Sequence, residues 1–276
     1  EPDGTMQIEA DFNTAGTDPC HVEIAPNGAF VSVANFASGA VTIFPRDAQG
    51  DLQADKTIFQ HEGSSVHPIR QKGPHAHSSL FAPDCPLMFV PDLGMDKVVA
   101  YRYDGASVCV DEDATITVER GCGPRYGEFA PNGKDFYLIN EIGSRVMHYR
   151  YSAGKMTLCE ETSTLPYGFT EENICSDLHI TADGKFLYAS NRGHDSITAY
   201  HILEDGSLAW IECQPSGGKT PRNFALDRTG RYLLAENQDS DNITEFAIGE
   251  DGRLTKQESY AFGSPVCIRF FKKTAF

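Results

Sequence analysis

The chain repeats itself. Residues 16–44, 72–103, 122–151, 175–202 and 219–248 read as variants of one unit, and a sixth copy opens at Ser264. Each copy starts near a proline (Pro19, Pro74, Pro124, Pro221, Pro265), with Ser176 near that place in the fourth; successive starts lie 55, 50, 52, 45 and 44 residues apart. Repetition at that period restricts the chain to architectures built from stacked or radially arranged units.

Inside each copy the pattern is that of strands. A short β-rich run meets a turn signal, such as Pro26-Asn-Gly, Pro131-Asn-Gly, Ala182-Asp-Gly or Arg228-Thr-Gly. A second run of aromatic and β-branched residues ends in Asn or Asp. A third alternates, as in Ser196-Ile-Thr-Ala-Tyr-His-Ile, and a weaker fourth follows a further turn, as at Gly206-Ser-Leu-Ala-Trp-Ile-Glu. No amphipathic helix of ten or more residues is predicted. Four antiparallel strands per repeat describe a propeller blade: a solenoid needs shorter units, and a sandwich would not repeat. The expected fold is an all-β propeller of four-stranded antiparallel blades. About five blades are complete, with partial ones at either end.

That geometry nominates a site. The first strand of a blade lines the central channel, and the start of this strand meets the end of the second strand on one rim. Residues equidistant from the turn become neighbours there, giving His21/Asn35, His77/Asp92, Arg125/Glu141, Asp177/Arg192 and Arg222/Asn237. Architecture alone would place interchangeable residues at these positions. Two arginines, a histidine and a glutamate from consecutive blades instead suit anion binding and proton transfer. Asn35, Asn140, Asn191 and Asn237 read as turn-formers bonded to their own backbone, and salt bridges to Glu141 or Asp177 are the structural alternative for Arg125 and Arg192. Oxygens ringing a channel can hold Ca²⁺, but guanidinium groups in the same mouth would repel it, so neither metal nor cofactor is expected. Ser78 and Ser79 lie in no Gly-x-Ser-x-Gly elbow, which disfavours a serine-hydrolase triad.

Composition narrows the partners. With 39 Asp and Glu against 23 Lys and Arg the formal charge is −16, the wrong sign for nucleic acid or an anionic membrane. No apolar run approaches the ~18 residues of a membrane helix. The eight cysteines are irregularly spaced, with no Cys-x-x-Cys. They read as reduced thiols in a cytoplasmic protein, with Cys122 set apart by its place before Gly123-Pro-Arg.

Over residues 5–271 the chain resembles the seven-bladed propeller lactonase family of bacterial-type 6-phosphogluconolactonases and fungal carboxy-cis,cis-muconate lactonising enzymes. The resemblance is carried by His77-Ser78, Val90-Pro-Asp-Leu-Gly-Met-Asp, Gly123-Pro-Arg, Asn140-Glu141, Asp177-Leu-His-Ile-Thr-Ala-Asp-Gly-Lys, Asn191-Arg192 and Thr220-Pro-Arg-Asn-Phe. It implies His77 and Glu141 as catalytic residues, with Arg125 and Arg192 binding substrate. Tyr126 departs from the family's usual His after Gly-Pro-Arg, which bears on substrate preference. The implied activity is hydrolysis of 6-phosphoglucono-δ-lactone in the pentose phosphate pathway. Cyclisation of a carboxymuconate and a non-catalytic interaction platform are the alternatives. The expected partner is a small anionic sugar lactone or dicarboxylate, and a homo-oligomer is allowed.

The repeats leave no room for a second domain in residues 1–276. One outer strand is expected near Thr5–Phe12 and one first strand at Ser264–Phe271. A closed seven-bladed ring would need about six further strands, so an N-terminal blade and a half is expected to lie outside this sequence.

Overall fold

The computed structural model describes residue 8 and residues 10–270, which form five antiparallel sheets in chain order. Blade I holds strands Pro19–Ile24, Phe30–Asn35, Ala40–Pro45 and Thr57–Gln60. Blade II holds Leu80–Phe81, Leu87–Asp92 and Lys97–Asp104, and its fourth strand is split into Ser107–Val110 and Ile116–Thr117, both paired with Lys97–Asp104. Blade III comprises Pro124–Phe129, Asp135–Asn140, Arg145–Ser152 and Lys155–Ser163; blade IV comprises Ile174–Ile180, Phe186–Arg192, Ser196–Ile202 and Leu208–Pro215. Blade V comprises Pro221–Leu226, Tyr232–Asn237, Asn242–Ile248 and Leu254–Ala261. Among the described residues the only helical turn is the 3₁₀ turn Gln238–Ser240.

The turns between first and second strands are alike because their glycines are. Gly28, Gly133, Gly184 and Gly230 take φ of 70°, 65°, 72° and 70°, in the left-handed region where a Cβ is penalised. Strands two and three of blades II to IV lie between neighbouring blades and are largely buried, whereas those of blade V are half-buried. In blade III Asp135–Asn140 is buried throughout. The core lies between sheets: Phe30 and Ile43 pack with Met88 and Tyr101 across blades I and II, and Phe89 and Ala100 pack with Phe136 and Tyr149 across II and III. Tyr137 and Ile139 pack with Leu178 and Tyr200, and Tyr188 and Ile197 with Phe224 and Phe246, across the next two boundaries. Each such side chain contributes roughly 1.5–3 kcal/mol on burial, so blades stabilise one another more than themselves.

One feature of the register positions the site. Every first strand slips by one residue near its start, between Pro19 and His21, Pro124 and Tyr126, Cys175 and Leu178, and Pro221 and Asn223. In blade II the same shift falls between the Ala76–Asp92 bridge and the Leu80–Phe89 pair. A bulge leaves a residue unpaired and re-aims its side chain. The expected rim pairs change accordingly. Pro19, not His21, faces Asn35, and Pro221, not Arg222, faces Asn237. Ile174 rather than Asp177 faces Arg192.

Among the described residues the single strands expected at the two ends are not formed. Ile8 and residues 10–12, and Ser264–Phe270, are outside any strand; Thr5–Gln7, Glu9 and Phe271 lie outside the described residues. No second strand stands beside Ser264–Phe270 among the described residues to complete a ladder. Its amides turn to side chains instead, Ser264 N to Asp241 Oδ1 at 2.8 Å and Ile268 N to Asn223 Oδ1 at 3.2 Å.

Candidate active site at the channel mouth

The bulged residues form a belt around the channel, each blade bonded to the next. Cys20 Sγ contacts the His77 carbonyl at 3.3 Å, and Ser78 Oγ donates to the Arg125 carbonyl at 3.0 Å. The Arg125 guanidinium donates to the Ser176 carbonyl, and Ser176 Oγ to the Arg222 carbonyl. Over this belt opens a cavity of about 730 Å³ whose wall includes Cys20, Arg70, His77, Glu141, Arg192 and Arg222.

Glu141 is the electrostatic centre. It follows strand Asp135–Asn140, and its amide donates to the Gly123 carbonyl at 2.7 Å. Its carboxylate, in a residue only 1 % exposed, accepts from Arg125 Nε at 3.0 Å, from Arg192 Nη2 at 2.7 Å and from Arg70 Nη2. Burial alone would raise its pKa, but Arg192, Arg125 and Arg70 together hold it below the usual carboxylate value, so the group is ionised. Three guanidiniums thus share one negative charge. Arg192 reaches across from blade IV to this carboxylate of blade III and also donates to the Cys175 carbonyl at 2.8 Å.

His77 is buried, with its backbone N–H on the Pro91 carbonyl at 3.0 Å and its ring edge-on to Phe36 at 5.5 Å. Burial, then the nearby Arg125, Arg222 and Arg192 charges, push its pKa well below 6.5, so the imidazole is neutral. Its neighbour Cys20, with Sγ 4.0 Å from Nδ1, is raised to about 11, chiefly by burial, and stays a thiol. His75 instead stacks on Phe36 at 4.5 Å and bonds the Phe36 carbonyl.

The four residues nominated from the sequence, His77, Arg125, Glu141 and Arg192, therefore come together. The alternative partner of Arg192 does not join them: Asp177 turns into the channel, where His179 Nε2 lies 3.2 Å from its Oδ2. The asparagines serve the blades. Asn191 Nδ2 donates to Thr164 O, Ser196 Oγ and Thr198 Oγ1, and Asn35 and Asn237 make comparable bonds. Tyr126 sits lower in the channel, between His21 and His179 at centroid distances of 6.0 and 5.7 Å, and off the cavity wall. Cys122 is structural: its carbonyl accepts from Ile142 and Gly143, and its buried thiol is pushed up to about 11.

Arg70 was not predicted. It comes from the connection between blades I and II, outside every repeat copy, so comparison of copies could not reveal it. The only signal was an arginine four residues before Pro74 in an interblade loop, which is no signal by itself. The loop is pinned by Gln71, whose Nε2 donates to the Leu93 carbonyl and to Asp96 Oδ1, both at 2.8 Å.

The family model described as a seven-bladed β-propeller lactonase matches residues 1–270. The 6-phosphogluconolactonase of Bacillus subtilis (strain 168) is 35% identical over 218 residues, covering 78% of this chain and 61% of the relative. The 6-phosphogluconolactonase of Formosa agariphila is 35% identical over 231 residues, covering 81% and 65%. The chain thus spans just under two thirds of the length of these curated relatives. Among solved structures, the Pseudomonas aeruginosa periplasmic gluconolactonase superposes with a TM-score of 0.90 at 31% identity, covering 95% of this chain and 76% of that one.

Proposed function

The chain belongs to the seven-bladed β-propeller lactonase family, and from that premise we propose that the protein hydrolyses 6-phosphoglucono-δ-lactone to 6-phosphogluconate at the channel mouth. The observation that carries this reading is the cation cluster beside a neutral, buried imidazole on one cavity wall. Such a cluster suits an anionic substrate and an oxyanion that forms as the lactone opens.

In the proposed reaction a water oxygen attacks the lactone carbonyl carbon while His77 takes its proton. The carbonyl electron pair moves to oxygen, and the guanidinium donors of Arg125 and Arg192 stabilise that charge, an effect typically worth ~10²–10³ in rate. The ring C–O bond then breaks, the imidazolium returns the proton to the departing alkoxide, and the new carboxylic acid ionises. Neutral His77 supports the role of base. Glu141, ionised and already accepting from three guanidiniums, is the poorer base, and its part is to hold those groups at one face of the cavity. Eight cysteines free of disulfides support a reducing, cytoplasmic setting for the pentose phosphate pathway.

The test is a lactonase assay on the purified chain, corrected for spontaneous ring opening. His77→Gln is expected to lower kcat by ~10²–10⁴ with little change in KM, its fold checked by circular dichroism. Wild-type kcat in that variant would remove His77 from the chemistry. A parallel assay with a carboxymuconate that yields lactone, where the sugar lactone is untouched, would replace hydrolysis by cyclisation.

A further inference from the structure

We propose that Arg222 forms the subsite for the substrate's remote phosphoryl group, and so sets the preference for a phosphorylated over an unphosphorylated sugar lactone. The proposal rests on the lactonase reading only for its choice of substrate.

Arg222 is the bulged residue of blade V, the counterpart of Arg125 in blade III and Cys20 in blade I, and its side chain lines the mouth cavity. The other three arginines of the mouth are occupied. Arg125 gives Nε to Glu141 and Nη1 to the Ser176 carbonyl; Arg192 gives Nη2 to Glu141 and the Cys175 carbonyl; Arg70 also ends on Glu141. Among the described residues no acceptor engages the Arg222 guanidinium. Its surroundings supply no dedicated counter-charge. Glu141 is shared three ways, the adjacent Cys20 is a thiol, and His77 is neutral. Asp18, the other carboxylate on the cavity wall, forms no ion pair with it among the described residues.

Counting the wall guanidiniums of Arg70, Arg192 and Arg222 against Glu141 and Asp18 leaves one uncompensated positive charge in the mouth of a protein whose formal charge is −16. A half-buried cation without a partner is destabilised by partial loss of its hydration, and an entering dianion offsets that cost. A planar guanidinium with its whole fork available binds phosphate oxygens two at a time, which a neutral sugar hydroxyl does not match. Arg125 and Arg192, already directed at Glu141, remain beside His77 for the developing oxyanion. The division of labour is therefore spatial: three guanidiniums are tied to Glu141, and the fourth is left for the far end of the substrate.

The experiment compares wild type, Arg222→Ala and Arg222→Lys on 6-phosphoglucono-δ-lactone and on glucono-δ-lactone, with inorganic phosphate titrated calorimetrically into each protein. Arg222→Ala is expected to raise KM for the phosphorylated lactone about 10–100-fold, with kcat little changed. On the neutral-pH plateau KM for glucono-δ-lactone should change far less than KM for the phosphorylated lactone, and phosphate affinity should fall in parallel with the latter change. Arg222→Lys, which keeps the charge and loses the fork, should lie between. Equal losses on both lactones, or no loss on either, would overturn the assignment. If the wild type opens neither lactone, the lactonase reading fails while the phosphate titration still decides the subsite: binding lost in Arg222→Ala upholds it, and unchanged binding overturns it.

Discussion

Glu141 and His77 sit in one arginine field and respond to it oppositely. The field stabilises the charged form of the carboxylate and the neutral form of the imidazole. A proton-transfer step carried by His77 must therefore show an acid limb in kcat/KM well below pH 6.5, because protonation there competes with Arg125, Arg222 and Arg192 as well as with burial. Removing one of those charges relaxes the competition. In Arg222→Ala, assayed with glucono-δ-lactone, the acid limb should move to higher pH while the plateau near neutrality holds. Cys20, the other titratable group against the ring, is raised to about 11 and does not titrate in that window. A limb at or above pH 6.5 in the wild type would mean that His77 is not the base. At this scale the placing of His77, Arg125, Glu141 and Arg192 near one mouth was legible in the sequence, from repeat positions whose counterparts differ and from the family resemblance. Arg70 was not, because it has no counterpart, and neither was the division among the arginines, which depends on where each guanidinium ends.

The strands and their order were legible because a propeller blade writes its pattern several times over. Pro131-Asn-Gly and Ala182-Asp-Gly mark the same turn, with Gly133 and Gly184 at φ of 65° and 72°. The one-residue bulge was not legible. It changes no residue type, only the pairing, so counting outward from the turn put His21 and Arg222 opposite Asn35 and Asn237. The asparagines were read as bonding their own backbone, and they do more. Asn191 ties the end of its strand to the Thr164 carbonyl of the interblade connection and to Thr198 on the next strand. Asn191→Ala leaves buried partners unsatisfied and should cost about 1–3 kcal/mol, read as a lower denaturant midpoint. Asn140 has only two longer bonds, both 3.4 Å, to the Leu138 and Arg145 carbonyls; its replacement by Ala should cost less. Equal losses would mean that the asparagine bonds are not what distinguishes the two sites.

The molecule as a whole is an array of sheets whose apolar contacts run between blades, and its channel carries a polar counterpart of those contacts. His179 of blade IV places Nδ1 2.9 Å from Glu128 Oε2 of blade III and Nε2 3.2 Å from Asp177 Oδ2. Asp177 in turn accepts from Asn223 and Phe224 N–H groups of blade V. Burial alone would lower the His179 pKa, yet Asp177 and Glu128 raise it to about 10, so a charged imidazole links three blades at neutral pH. A histidine whose folded pKa lies above its unfolded value near 6.5 stabilises fully below 6.5, and that stabilisation is lost as pH rises through 10. Glu236, raised to about 8 by burial and then by Asp177, also weakens the fold as pH rises from its ordinary range to 8. His179 also holds the Glu236 pKa down, so the difference between two proteins reports the His179 charge together with its effect on Glu236. Wild type minus His179→Gln should show a stability advantage that is large near pH 6.5 and shrinks toward pH 10, with a total loss on the order of 5 kcal/mol. Parallel stability curves across that range would mean that the linkage among blades III, IV and V rests on their apolar interfaces alone.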